Sequence, residues 1–522
     1  MYSKLQQRLQ KLSSGTKNLP FTGSLIGVEK ESLRVNCEGK ISQTSHPDCL
    51  GSPLTHPSIT TDYAEALVEF VTPPLANIPE VTRYLRDAQQ FTYTCLDNEY
   101  FWSTSMPCVI SGESSIRIAE YGSSNAGKMK NIYRRGLGYR YGKVMQVIAG
   151  VHFNYSVPES FWPQYASIEG KSESNQAFIN TAYMGLIRNL QRYGWLVIYL
   201  FGASPTVCKT FLSGLTNQLS ELDFGTFYLP YATSLRMGDI GYQNNKENEH
   251  GIKANYNSLE QYTAGLLKAV KTPCKDYEKL GIMIDGEYRQ LNANILQIEN
   301  EYYSTIRPKQ ILQGMEMPSL ALSKRGIQYV ELRSIDVNAY DPLGINDQQL
   351  YFLELLLVFC LLQDSPLINA TERDAIDQNE LLAAHQGREP GLMLDRNGEK
   401  LTLKDWGLEL CEQMLPLCKL LDDEQQYYSK ALASQKDKLL DPEATPSAQI
   451  LNELQNNRET FFKFAERLSK KHRRYFLDLP TDEARQAIFL QAAEQSRGKQ
   501  QAIEASDSLS FEAYLEQYFS QQ

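Results

Sequence analysis

Residues 24–36 read SLIGVEKESLRVN. Period-two alternation, the mark of a β-strand, places Glu29, Glu31, Leu33 and Val35 on one face and Val28, Lys30, Ser32 and Arg34 on the other. Two carboxylates two residues apart on one strand face either share a cation, sit on adjacent cations, or line the wet face of an edge strand.

Three further segments repeat the theme. In TTDYAEALVEFVTPP (60–74) the acids are Asp62, Glu65 and Glu69, and Glu69 interrupts the apolar run from Ala66 to Val71. A charge there on a buried strand costs several kcal/mol unless it is ion-paired or metal-bound. In MQVIAGVHFNYSV (145–157) Val147, Ala149, Val151, Phe153, Tyr155 and Val157 make an apolar face, and Gln146, Ile148, Gly150, His152, Asn154 and Ser156 the opposite one. A lone strand His is often structural, but this one shares its face with Gln and Asn. Gly150 leaves room beside it for a ligand or backbone. In IQYVELRSIDVN (327–338) Tyr329, Glu331, Arg333 and Ile335 fall on one side. Glu331 and Arg333 either neutralise each other or face a divalent cation and the phosphates it holds.

If these strands converge, Glu29, Glu31, Asp62, Glu69, Glu331 and His152 meet. Two carboxylates about 4 Å apart repel by roughly 4 kcal/mol at an effective dielectric of about 20, so a set of five demands cations. Hard oxygen donors with one imidazole suit Mg²⁺, or Mn²⁺, better than Zn²⁺. Several such ions on a polar sheet face beside an Arg suit the phosphates of ATP.

The remaining sequence bounds this reading. A chain of 522 residues, 42% hydrophobic and 22% charged, has a globular composition and room for one large or several ordinary domains. With 52 basic and 62 acidic residues the net charge is −10, which disfavours nucleic acid as a partner. The polar N-terminus lacks the apolar core of a signal peptide, and the longest apolar run, 355–362, falls far short of the roughly 20 residues of a membrane span. Nine scattered cysteines without a CxxC pair suggest unpaired thiols in a reducing cytoplasm.

Leu5, Leu9 and Leu12 at helical spacing predict a short amphipathic helix, and residues 177–201 a long one. Asp285-Gly286 predicts a hairpin turn. Helical periodicity dominates after Ile345, starting with the apolar stretch 348–362, and the Gln/Glu/Ala-rich sequence beyond Thr481 suggests a surface helix with a loose tail. The expected organisation is a catalytic α+β sheet region over 1–345, a helical region packed on it over 346–480, and a polar helix and tail over 481–522.

A near-miss P-loop, GSSNAGKM (122–129), has Met where the motif requires Ser or Thr, and no GxSxG, HExxH or GxGxxG occurs. No enzyme nucleophile is advertised. A ligase passing through an acyl phosphate needs positioning and charge neutralisation instead.

The stretches GVEKESLRV (27–35), TTDYAEALVEF (60–70), GVHFN (150–154), YLFGASP (199–205), YATSLR (231–236), QIENE (297–301) and IRPK (306–309) follow one another in the chain. Together they resemble bacterial type 1 glutamate–cysteine ligases, the γ-glutamylcysteine synthetases, from about Leu25 to Gly344. The resemblance implies a glutamine-synthetase-like antiparallel sheet forming a funnel-shaped active site, followed by a mainly helical part. It also implies metal ligands at Glu29, Glu31, Asp62, Glu69, His152 and Glu331, and a cysteine pocket at Tyr133, Leu137, Gln146, Tyr242 and Tyr303. Arg236 and Asn154 are implied to hold glutamate, and Arg134 and Arg333 to meet the transferring phosphate. From the residues alone, the basic stretch Lys128 to Lys143 is either a solvated helix face or an attractor of anionic substrates.

The implied activity is ATP-dependent ligation of the glutamate γ-carboxylate to the cysteine amine through γ-glutamyl phosphate, the first step of glutathione biosynthesis. Glutamate, cysteine and ATP are the expected partners of a cytoplasmic protein, with a monomer as the working expectation. The proton acceptor for the cysteine amine is not legible. The alternatives are a related ligase with another amine acceptor, a phosphotransferase acting on a non-carboxylate group, or a catalytically silent MgATP-binding regulatory protein.

Overall fold

The protein is described by a computed structural model covering residues 2–15, 21–212, 218–241 and 254–521. Seven strands form its central sheet: β1 (Leu25–Val35), β2 (Ile59–Thr61), β3 (Leu67–Val71), β4 (Tyr100–Phe101), β5 (Gly150–Ser156), β6 (Ile306–Lys309) and β7 (Tyr329–Asp336). Their order is β6-β7-β5-β1-β3-β2, with β4 added to β1, and every pairing is antiparallel. β1 therefore has neighbours on both sides, which rules out the wet-edge reading of its acids.

Register does the rest. Val28 pairs with Phe153, Lys30 with Phe70 and Val151, and Leu332 with Phe153, so these side chains share one face. Val28, Phe70, Val151, Phe153, Tyr155 and Val330 on that face are fully buried. Lys30 is buried among them, its ammonium donating to Gln89 at 2.8 Å, and burial pushes its pKa down to about 7.

The core face is covered by helices. α1 (Ser3–Gly15) buries Leu5, Leu9 and Leu12 as their spacing predicts. α2 (Ile78–Thr94) packs on β1 and β3. α3 (Asn125–Tyr141) stands over the other sheet face, as its contribution to the site shows below. α4 (Gln176–Phe201) crosses β6 and β7, and α5 (Asp347–Leu362) lies against α4 and α2. α5 opens with a reciprocal Asn346–Gln349 capping box and is apolar on all sides; from Gln349 to Leu362 every residue is buried. α6 (Glu483–Ser506) and α7 (Phe511–Phe519) end the chain. The molecule is α+β with an antiparallel sheet, as expected, and no described helix is long and apolar enough to cross a membrane.

Several expectations change. The segment after Ser506 folds as α7 and is not a loose tail, because Phe511, Tyr514 and Tyr518 bring an apolar stripe that docks. A bulge in β7 between Leu332 and Ile335 breaks the alternation, so Ile335 pairs with Val151 on the core side and leaves the face of Glu331 and Arg333. Residues Met145–Val147 form a 3₁₀ turn, and strand pairing begins only at Gly150. Met393–Arg396 and Glu399–Thr402 form a hairpin within the helical half, turned by Asn397-Gly398 with φ of 52° and 91°. The hairpin at Asp285-Gly286 is present, with φ of 52° and 81°.

The near-miss P-loop is ordinary helix entry. Ser124 caps α3, and Asn125 gives its backbone N–H and its side-chain amide to Asp507, so a carboxylate already occupies that helix end. Among the described residues Cys37, Cys274, Cys360, Cys411 and Cys418 form no disulfide, but Cys49 stands beside Cys95 and Cys108 beside Cys208, with Cα separations of 6.1 and 5.4 Å. Pairs 46 and 100 residues apart leave no spacing pattern, so the cysteine count carries no argument about compartment.

Candidate active site

The sheet face opposite the core carries the acids. Glu31 on β1 lies directly across from Glu69 on β3, Glu29 on β1 across from His152 on β5, and Glu331 on β7 across from Asn154 on β5. Asp62 follows β2 and joins them at the edge of a cavity of about 430 Å³. All six residues singled out as metal ligands line that cavity, together with Tyr133, Arg134, Leu137, Gln146, Arg236, Tyr303 and Arg333. Two expected residues differ. Asn154 sits one layer back, its amide nitrogen donating to Glu29 at 2.9 Å and its buried oxygen without a hydrogen-bond partner. Tyr242 lies outside the described residues. Glu65, the third acid of its segment, is turned away and accepts from the backbone N–H groups of His46 and Glu120 at 2.8 and 2.9 Å.

At the centre, His152 Nδ1 is 3.1 Å from Glu29 and 3.7 Å from Glu331, and one donor atom from each of the three lies within 4.8 Å of the others. His152 Nε2 is 3.9 Å from Glu31, whose other oxygen accepts from Gly150 N–H at 2.6 Å. Lysine and arginine surround this centre. Lys309 reaches Glu331 at 3.0 Å, Arg333 reaches it at 3.3 Å, and Arg134 approaches Asp62 at 3.9 Å.

The electrostatics split the acids. Burial opposes ionisation of Glu331, yet Lys309, Arg333 and His152 hold its carboxyl well below the usual range. Burial also opposes ionisation of Glu29, where the hydrogen bond to His152 wins and the pKa is lowered. Burial and Asp62 raise Glu31. Burial and repulsion from Glu29, Asp62 and Glu31 raise Glu69 well above the usual range. Glu69 and Glu31 thus stand where added positive charge would be most favourable. Oxygen donors with one imidazole fit a hard divalent ion, and the crowding around Glu69 is an observation in favour of that fit.

Local sequence explains the positions. Gly150 is required because a Cβ there would stand 2.1 Å from a guanidinium nitrogen of Arg236, so the room it leaves is taken by an arginine. Arg236 is anchored by the Arg333 carbonyl at 2.9 Å and faces Asp336 at 3.6 Å. α3 turns Ala126, Met129, Lys130, Tyr133, Arg134 and Leu137 toward the cavity, while Arg140 at its far end is fully buried and pairs with Glu301 at 2.9 Å. The basic stretch is thus divided: Lys130 and Arg134 line the cavity, Arg140 is buried, and Lys128 and Arg135 lie outside the cavity lining, Lys128 exposed and Arg135 paired with Glu287. Lys130, Arg307, Lys309 and Tyr514 also line the cavity and were missed. IRPK at 306–309 held a usable signal, since period two turns Arg307 and Lys309 to one side; Tyr514 gave none.

A second cavity of about 310 Å³, bounded by Tyr262, Leu266, Pro308, Ile311, Leu312 and Tyr329, shares Asn300, Arg307 and Lys309 with the first.

The chain is similar to known proteins over almost its whole length. A family model described as glutamate–cysteine ligase matches residues 9–382. The glutamate–cysteine ligase of Pseudomonas putida is 46% identical, with 98% of each chain covered, and that of Alcanivorax borkumensis is 44% identical, with 99% of each covered. The crystal structure of the Francisella tularensis glutamate–cysteine ligase in complex with AMP superimposes with a TM-score of 0.89 at 35% identity, covering 95% of this chain and 97% of that one. A bifunctional glutathione synthetase from Pasteurella multocida shares the fold, with a TM-score of 0.69 at 21% identity over 95% of this chain and 57% of its own. On this likeness, spread over almost the whole chain, the protein belongs to the glutamate–cysteine ligase family.

Proposed function

We propose that the acid-lined cavity is where this ligase joins the γ-carboxylate of glutamate to the amine of cysteine with the consumption of ATP. The observation that carries the reading is the meeting of five carboxylates and one imidazole from four stretches of chain around one cavity on a single side of the sheet, edged by arginine and lysine.

Glu29, His152 and Glu331 would hold one Mg²⁺ or Mn²⁺, and Glu31, Asp62 and Glu69 would attract further positive charge. Bound there, the metal supplies neutralisation of phosphate charge. The chain's own groups do the remainder. Arg333, Lys309 and Arg307 face the phosphoryl oxygens from the β6–β7 side and Arg134 and Lys130 from α3, preorganised to receive charge as it moves toward ADP. The nucleotide base rests in the second cavity between Tyr262, Ile311, Leu312 and Tyr329. Arg236, fixed over Gly150, binds the glutamate α-carboxylate and aims the γ-carboxylate at the phosphate. Asn154 supports this by holding Glu29. Tyr133, Leu137, Gln146 and Tyr303 receive cysteine, whose neutral amine attacks γ-glutamyl phosphate and releases phosphate. ATP and the thiol substrate are both available in the cytoplasm, where we place the protein as a monomer.

ADP release measured with glutamate and cysteine, each omitted in turn, tests the reaction. Full turnover with an unrelated amine in place of cysteine, or none with both substrates present, overturns it. Glu331→Gln tests the site and should lower turnover by roughly 100-fold or more. Native turnover in that variant would place the reaction elsewhere.

A further inference from the structure

The C-terminal helix α7 lies beyond the residues that match the family model, yet Tyr514 at its centre lines the catalytic cavity. The ring is 9% exposed and stacks on Phe511 at 13° between planes. α7 is fastened at both ends to the cavity's surroundings. The Tyr288 hydroxyl, on the 283–288 hairpin, donates to Glu512 at 3.0 Å, and the Tyr288 ring meets Phe511 edge-on at 5.3 Å. Past the helix, the Gln521 side chain accepts from Met317 N–H at 3.1 Å and donates to the Met315 carbonyl at 2.8 Å. Ahead of it, Asp507 and the Leu509 carbonyl receive the Asn125 amide at 2.7 and 2.9 Å, tying the segment to the start of α3.

These fastenings locate Tyr514. α7 packs on α3, with Glu512 in the field of Lys128, while Tyr518, one turn past Tyr514, lies in the field of Glu299. The helix thus runs from the Lys128 end of α3 toward Glu299, which with Asn300 borders the second cavity. Lys130 and Arg134 on one bank, and Arg307 and Lys309 on the other, are the cations suited to phosphates. An aromatic ring between such banks has a flat apolar face for a ribose or base edge and excludes water from the reacting phosphate.

We infer that α7 is the outer wall of the nucleotide end of the cavity and that Tyr514 is a specificity-determining contact for ATP. The inference rests on the reading of this cavity as the ligation site. Its test uses the full chain with Tyr514→Ala and Tyr514→Leu, the second preserving apolar bulk so that α7 stays docked. Rates are measured with ATP, glutamate and cysteine varied separately, beside thermal unfolding. Both variants should raise KM for ATP about tenfold, with KM for glutamate and cysteine within about twofold and the melting temperature of Tyr514→Leu held, and Tyr514→Phe should bring the ATP value back toward native. An unchanged KM for ATP in both, or an equal rise for all three substrates accompanied by a fall in melting temperature, overturns the inference and leaves α7 a packing element. Glu331→Gln, assayed in parallel, separates the two ideas: its inactivity with a native Tyr514→Ala refutes only the wall, whereas its full activity refutes the site itself.

Discussion

Glu31 and Glu69 stand directly opposite each other on adjacent antiparallel strands, two carboxylates where a stable sheet would set a neutral or oppositely charged pair. Burial and the neighbouring acids raise both groups, Glu69 the more strongly. The arrangement costs the metal-free protein stability and readies it for cations. Glu69→Gln should therefore stabilise the protein without divalent ions by about 1 kcal/mol and lower turnover by roughly 100-fold. Mg²⁺ should raise the native melting temperature more than the variant's. Urea titrations with and without Mg²⁺ check both signs, and a destabilised metal-free variant would contradict the account.

Gly150 tests the anchoring of Arg236. A Cβ at this position would meet the guanidinium at 2.1 Å, and that guanidinium is held by the Arg333 carbonyl. Gly150→Ala should push Arg236 off its seat and raise KM for glutamate by about tenfold or more, while circular dichroism stays native. An unchanged glutamate KM would separate Arg236 from substrate.

Arg140 and Glu301 form an ion pair with neither side chain exposed, the guanidinium also bound to Gln290 at 2.8 Å and stacked 4.0 Å over Tyr277. Arg140→Met strands a buried carboxylate and should destabilise the fold by about 3 kcal/mol or more. Adding Glu301→Gln should recover much of the loss, because the orphaned charge is then gone. Equal stability of the single and double variants would show that the charge was never the cost.

Glu354 predicts a pH dependence. It is buried in α5, accepts from Tyr428 at 2.7 Å, and burial raises its pKa to about 7 from 4.5. The folded protein therefore keeps a proton that the unfolded chain releases at ordinary acidity. Its stability contribution is intact below about pH 4.5, falls as pH rises to about 7, and levels off once the folded carboxyl ionises too, for a total of roughly 3 kcal/mol. Glu354→Gln should flatten this part of the stability–pH curve and leave the variant the more stable protein at pH 8. A difference between the two proteins that does not change with pH would refute the assignment.

Much of the site was legible because a strand's period of two forces its odd and even residues apart. Glu29 and Glu31, His152, and Glu331 with Arg333 could be assigned a shared face before any pairing was known, and Glu69 drew notice by interrupting an apolar run. Pairing itself was not legible. The bulge that turns Ile335 to the core and the approach of Cys49 to Cys95 and of Cys108 to Cys208 depend on partners distant in sequence. Period two sets Arg307 and Lys309 on one side, but a four-residue strand supplies that single repeat and nothing more to mark it as part of the sheet. Tyr514 escaped because its segment is polar enough to read as a tail, and only its docking on α3 gives it a place.

That docking has a consequence for how the protein is made. Ser496 bonds to Ser52, Glu504 to Ser123 and Asp507 to Asn125, so the last part of the chain closes onto the first quarter across separations of 444, 381 and 382 residues. During synthesis the acid-bearing strands leave the ribosome long before α6 and α7 exist. Until α7 emerges, the cavity that the acid-bearing strands line lacks Tyr514, so its lining is completed only after the helix that carries this ring has been made.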